Sequence, residues 1–198
     1  MIDDKTLWNK FRKGEHNALS CIYSQYVNIL FQYGMKFTSN RDLVMDSIHD
    51  LFENLLRSHK SLGDTDNIQF YLLRSLRRQL TKNIKQQTLF NNQLQSEDIA
   101  PKIEFAIEER IISGETTTEK EQKIAEALKK LSPRLREILY YKYTCNFDYE
   151  QICELMSVQY DSARKMVSRA LKALKKTLSS TLSVLFFLHL PKIFFQKK

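Results

Sequence analysis

Apolar residues recur at intervals of three and four over two long stretches of this chain, from Leu7 to Ile84 and from Glu119 to Leu174. That interval lays them on one stripe of an α-helix, whereas a strand with one buried face repeats every second residue. Trp8 and Phe11 open the first stretch, which continues through Leu19, Ile22, Tyr23, Tyr26, Leu30 and Tyr33. Turn chemistry agrees: of 198 residues only four are glycine and three proline, too few for a many-stranded fold that turns about every ten residues. The expected class is all-α. A chain of this length can hold one ordinary domain or two small ones, and the interrupted periodicity favours two small helical domains joined by a linker.

The first domain is expected over residues 1–88. Within it Asn40 or Asp42 is placed to cap a helix with Val44, Ile48, Leu51, Phe52 and Leu55 on one face; Asp46, Asp50 and Glu53 lie opposite. His59 to Asn67 collects loop formers, and Asp66 or Asn67 can accept the free backbone N–H groups of the helix that follows. That helix turns Leu73, Leu76, Leu80 and Ile84 inward and carries Arg74, Arg77, Arg78, Lys82 and Lys85 on another face. Residues 89–118 lose the pattern and gain acid, with Glu97, Asp98, Glu104, Glu108, Glu109 and Glu115. They read as a linker with a short helical piece, either a solvated spacer or a segment that mimics nucleic acid.

Periodicity resumes over 119–178, where Ile124, Leu128 and Leu131 precede Ser132-Pro133, a cap followed by proline at the first helical position. A helix from Arg134 to Tyr143 and a break at Thr144 to Asn146 lead into Tyr149–Leu174, which has helix-turn-helix proportions. Ile152, Leu155, Val158, Ala163, Val167, Ala170 and Leu174 can close its core. Gln159, Tyr160, Asp161, Ser162, Arg164, Lys165, Ser168, Arg169 and Lys172 remain at the start and along one side of the second helix. Glutamine and arginine can pair with base edges, while serine and lysine hold phosphates. Placement on the second helix of such a unit favours DNA contact over a merely solvated face.

Lysine and arginine number 31 against 23 acidic residues, a net charge of +8, which suits a polyanionic partner through counterion release. The three cysteines, Cys21, Cys145 and Cys153, form no zinc-ligand spacing, so no metal is expected. Without a Gly-rich phosphate loop or a nucleophile and base at recognisable spacing, neither an enzyme nor a cofactor is expected. Met1 to His16 holds no apolar run of the secretory kind, which points to the cytoplasm. Residues 179–198 form an apolar tail, shorter than the about twenty apolar residues of a bilayer span and broken by serine and histidine. Packing on the second domain, or an interaction surface, is expected for it rather than membrane insertion.

The residues also carry a resemblance. Phe11-Arg12-Lys13-Gly14, Asp46 to Phe52 and Phe70-Tyr71-Leu72-Leu73, followed by Ala127 to Glu137 and Ser168 to Leu174, stand in the order and spacing of extracytoplasmic-function sigma factors. The chain resembles that family over nearly all of residues 7–178, departing from it at Val44, Met45, His49, Leu56, Gln151, Cys153 and Ala163. The resemblance implies partners: core RNA polymerase, promoter DNA and an anti-sigma factor. It implies that Asp46, His49, Asp50, Phe52 and Glu53 bind polymerase. The basic helix, through Arg74, Arg77, Arg78 and Lys82, would meet the minus-ten element beside a base pocket in the loop from Lys60 to Asn67. The helix-turn-helix would read the minus-thirty-five element. Two rivals are a free-standing helix-turn-helix regulator, which explains only 119–178, and an all-helical scaffold, which leaves both basic faces unexplained.

Overall fold

The computed structural model describes residues 3–15, 17–90, 101–105, 108 and 119–177. Helices dominate, with no strand among the described residues, and the chain divides into two units, Met1–Ile99 and Ala100–Lys198. No helix among the described residues is long and apolar enough to cross a membrane. The expected packing of the tail lies outside the described residues.

The first unit contains α1 (Asp4–Arg12), α2 (Ala18–Gly34), α3 (Arg41–Ser58) and α4 (Ile68–Phe90), with a 3-10 turn at His59–Ser61. Three of these four helices start where a short polar side chain takes up a free N–H, α2 being the exception. Asp3 accepts from Thr6, Asn40 Oδ1 from Leu43 N at 3.1 Å, and Asn67 Oδ1 from Phe70 N at 2.8 Å. Asn40 and Asn67, rather than Asp42 and Asp66, are therefore the caps. Gly14, at φ 82°, ends the chain's path out of α1 in a conformation that side chains resist.

Trp8, Ile22, Tyr33, Val44, Ile48, Leu72, Leu73, Leu76 and Leu80 are fully enclosed; all but Leu72 belong to the stripe that the spacing predicts, whereas Ile84, expected inward, is only partly buried. At Gly34 the packing leaves no room: a Cβ there would stand 2.5 Å from Val44 Cγ1. One polar chain crosses the core, in which Ser47 Oγ donates to Leu43 O at 2.7 Å and accepts from Asn83 Nδ2 at 3.1 Å. Ser47 is buried, so α3 and α4 are joined by a satisfied hydrogen bond where apolar packing would otherwise run unbroken.

The second unit contains α5 (Glu119–Lys129), α6 (Pro133–Leu139), α7 (Tyr149–Met156) and α8 (Tyr160–Thr177). α6 begins at Ser132-Pro133 as expected, although the Ser132 hydroxyl makes no capping bond. Where a continuous helix to Tyr143 was expected, the backbone widens into a π turn at Tyr140–Thr144, closed by Cys145 N on Tyr140 O at 3.0 Å. Asn146, at φ 56°, then reverses the chain, a conformation that asparagine tolerates. α7 opens with a complete capping box: Gln151 N donates to Asp148 Oδ1 at 2.7 Å and Asp148 N to Gln151 Oε1 at 3.1 Å.

The acidic stretch read as a linker is corrected in part. Pro101, Ile103 and Phe105 are buried in the second unit, and Glu108 is 1 % exposed. Arg136 holds them: its guanidinium donates to Ile103 O, pairs with the Glu108 carboxylate and lies 5.1 Å from the Phe105 ring centre. Alternating apolar residues at 101, 103 and 105 let this short piece pack as extended chain, a signal that the surrounding acids masked.

Arg136→Met should lower the stability of the second unit by about 3–5 kcal/mol in denaturant unfolding, because it leaves the buried Glu108 carboxylate with only the Phe105 N–H and no cation; Glu108→Gln should cost less. Asp148→Ala should cost about 1 kcal/mol by the same measurement, through loss of the α7 cap.

Candidate nucleic-acid interface

The helix-turn-helix consists of α7, the short turn before Tyr160, and α8. Ser157 turns the chain with a left-handed backbone, φ 53°, and Val158 N closes on Cys153 O at 3.1 Å. Ile152, Leu155, Ala163, Val167, Ala170 and Leu174 are all buried. Ala163 and Ala170 are fully enclosed, and their small side chains let α8 lie close against its neighbours.

Spending that stripe on the core leaves the rest of α8 outside. Gln159, Tyr160, Asp161, Ser162, Arg164, Lys165, Ser168 and Arg169 are all exposed. At 100° per residue, Asp161, Lys165, Ser168 and Lys172 run down the side opposite the core, with Ser162 and Arg169 on one shoulder and Arg164 on the other. The Arg164 shoulder borders a groove lined also by Tyr143, Tyr149, Lys172 and Lys175. Tyr149 meets the Tyr160 ring edge-on at 5.6 Å between centres, and Lys142 Nζ stands 4.6 Å from the Tyr149 ring centre. Burial, and then the neighbouring Tyr149, raise the Tyr143 hydroxyl above its ordinary pKa, so it remains a hydrogen-bond donor. Burial, then the Glu150 and Asp148 charges, likewise keep the Cys153 thiol protonated.

The groove brings in residues that the sequence reading did not select. Lys175 continues the α8 series at a helical offset and was open to the same argument. Tyr143 sits in the π turn, where no periodic signal exists, and so does Lys142, which reaches the groove's edge only through the Tyr149 ring.

On the first unit, Arg78 and Lys82 are exposed on α4, while Arg74 and Arg77 are partly covered. The Arg77 guanidinium lies 5.7 Å from the Phe37 ring centre, on the shoulder of the basic face. Lys60 is exposed on the 3-10 turn. Asn67 has its carbonyl oxygen committed to the α4 cap, leaving its amide N–H groups for any other contact.

On α3, Asp46, His49, Asp50 and Glu53 are exposed. Asp50 Oδ2 accepts from Gln79 Nε2 at 3.1 Å, and Glu53 pairs with Arg57. Phe52 does not join this face. It is 7 % exposed and its ring meets Tyr23 edge-on at 4.9 Å, because its position falls on the buried stripe with Ile48 and Leu55. Leu56, 56 % exposed, takes its place beside His49 and Glu53 as the apolar member of the surface.

Residues 121–174 match the family described as sigma-70, region 4. No curated protein sequence matches the chain. Among solved structures, CnrH in complex with the cytosolic domain of CnrY is similar at a TM-score of 0.53 and 13 % identity, over 87 % of this chain and 95 % of that one. The sigma factor RpoE in complex with the anti-sigma factor NepR, from Bartonella quintana, is similar at a TM-score of 0.53 and 18 % identity, over 81 % and 96 %. At these identities the likeness is one of fold, and it spans both units. The sequence match covers residues 121–174 alone, inside a fold shared with both of those structures.

Proposed function

We propose that the chain is a sigma-70-like factor of the extracytoplasmic-function type, which reads promoter DNA with two separate surfaces and binds core RNA polymerase with a third. The observation that carries the proposal is the exposed polar flank of α8, set against a fully enclosed apolar flank. In such a unit the second helix enters the major groove. Gln159, Arg164 and Arg169 would meet base edges, while Tyr160, Asp161, Ser162, Lys165 and Ser168 would fix the helix on the backbone and groove wall. The Lys172 and Lys175 groove would carry the phosphates alongside.

The first unit would act on the minus-ten element. Taking a base out of the stack costs a few kcal/mol, which contacts to the single strand can offset. The loop from Lys60 to Asn67 would receive the extruded base, and Arg74, Arg77, Arg78 and Lys82 would hold the strand by its phosphates. Asp46, His49, Asp50, Glu53 and Leu56 would form the polymerase-binding face of α3. The division into 1–88, 119–178 and an intervening connection is that of a minus-ten module and a minus-thirty-five module. A sigma factor initiates transcription without chemistry of its own, and the proposed site of action is the cytoplasm, where polymerase is.

Both solved neighbours are held by a partner, one the cytosolic domain of CnrY and the other the anti-sigma factor NepR. That likeness supports an anti-sigma partner here as well. A free-standing regulator would leave the likeness over the first unit without a purpose.

Run-off transcription with core polymerase on fragmented genomic DNA should give new starts that share two spaced upstream elements; their absence, with active polymerase and folded protein, would return the free-standing regulator. Arg164→Ala and Arg169→Ala should each weaken promoter use about tenfold, as the loss of a base contact does, and wild-type transcription from both would remove α8 from the reading. Arg78→Ala combined with Lys82→Ala should reduce permanganate reactivity in the opened strand while leaving binding to core polymerase intact.

A further inference from the structure

The loop between α3 and α4 has little structure of its own beyond the 3-10 turn, and Gly63, Asp64 and Asp66 at its tip are exposed. Such a segment, left alone, samples many conformations. Here α1 touches it at its start and its tip, and holds the first residue of α4 just past its end. At its start, the Phe11 ring lies 6.2 Å from the His59 ring. At its tip, Trp8 Nε1 donates to Gly63 O at 2.9 Å, and Arg12 pairs with the Asp64 carboxylate. At its end, Asp4 Oδ2 accepts from Ile68 N at 2.8 Å, while Asp4 Oδ1 accepts from the Tyr26 hydroxyl at 2.9 Å.

The bond at the tip is the strong one. Trp8 is fully enclosed and its ring packs 4.8 Å from that of Tyr71. If the loop moved away, a buried indole N–H would lose its acceptor, and an unsatisfied buried donor is costly. The Arg12–Asp64 pair is more open, with the Asp64 side chain 76 % exposed, and contributes less. Together they order the loop before any ligand arrives, so that a ligand binding it need not supply that ordering.

We propose that α1 is a brace that presets the Lys60–Asn67 loop for the promoter strand, with Trp8 and Arg12 as positioning residues that touch no DNA. The proposal rests on the reading of this loop as the seat of the extruded base. Trp8 is also the chain's single tryptophan, so its fluorescence reports on the loop directly.

The test uses the full chain. Trp8→Phe keeps an aromatic ring in the core and removes the donor; Arg12→Gln removes the charge; Arg12→Asp with Asp64→Arg restores the pair reversed. Amide hydrogen exchange without DNA should quicken about tenfold across residues 60–67 in Trp8→Phe and about twofold in Arg12→Gln, with core amides of α3 unchanged. The reversed pair should return toward wild type. Open-complex formation with core polymerase should fall in the same order, and binding to core polymerase should not. Loop exchange unchanged in both single variants would overturn the brace, whatever happens to transcription. Wild-type opening by Lys60→Ala combined with Asp66→Ala would instead overturn the loop as the base pocket. Faster loop exchange with unchanged opening in Trp8→Phe and Arg12→Gln would overturn the role of the brace in promoter opening.

Discussion

Everything that α8 can offer to DNA depends on how its other side is spent. Ala163, Val167, Ala170 and Leu174 are committed to the core of the second unit, and a helix of 3.6 residues per turn then has no choice about which side chains remain outside. The close packing demands small residues, so a larger side chain at Ala163 or Ala170 would push α8 away from its neighbours and shift the outer residues with it. Recognition is thus set by the apolar stripe as firmly as by the polar one. The same division of labour shapes the first unit, where Ile48 and Leu55 on α3 and Leu73, Leu76 and Leu80 on α4 fix which acids and which bases face water.

Charge is distributed to match. The excess of base is concentrated on α4 and α8, while the exposed face of α3 carries Asp46, Asp50 and Glu53. A net charge spread evenly would attract any polyanion weakly, whereas separate faces of opposite sign discriminate between partners as well as attracting them. The capping box adds a detail to this. Gln151 completes it without adding a negative charge where α7 begins, so the helix start is fastened by a neutral amide close to a surface lined with lysine and arginine.

The sequence made the helices and their buried faces readable because apolar spacing repeats over many turns and errors at single positions average out. The helix-turn-helix was readable for the same reason. What escaped depends on single contacts. Either Asn67 or Asp66 could have capped α4, and only the backbone path chooses. Phe52 was expected on the polymerase face although its spacing from Ile48 and Leu55 already placed it inside, a case in which resemblance outweighed geometry. The π turn at Tyr140–Thr144 has no compositional mark. The burial of Ile103 and Phe105 involves Arg136, far along the chain, and the acids of the stretch suggested a spacer or a nucleic-acid mimic but not a piece packed in the core. The Trp8 bond to Gly63 joins residues 55 positions apart, beyond the reach of any periodicity.

The hydrogen-bonded chain from Asn83 through Ser47 to the Leu43 carbonyl has a mechanical meaning. Two helices packed only through leucine and isoleucine can slip past one another by a turn, since one apolar ridge fits much like the next. A serine hydroxyl buried between α3 and α4 favours a single setting, because any slip breaks its bond to Asn83 and leaves it only the Leu43 carbonyl of its own helix. It works as a key in a shaft: the acidic surface of α3 and the basic surface of α4 turn and shift as one rigid piece. A pull applied to either helix is therefore felt by the other without lost motion.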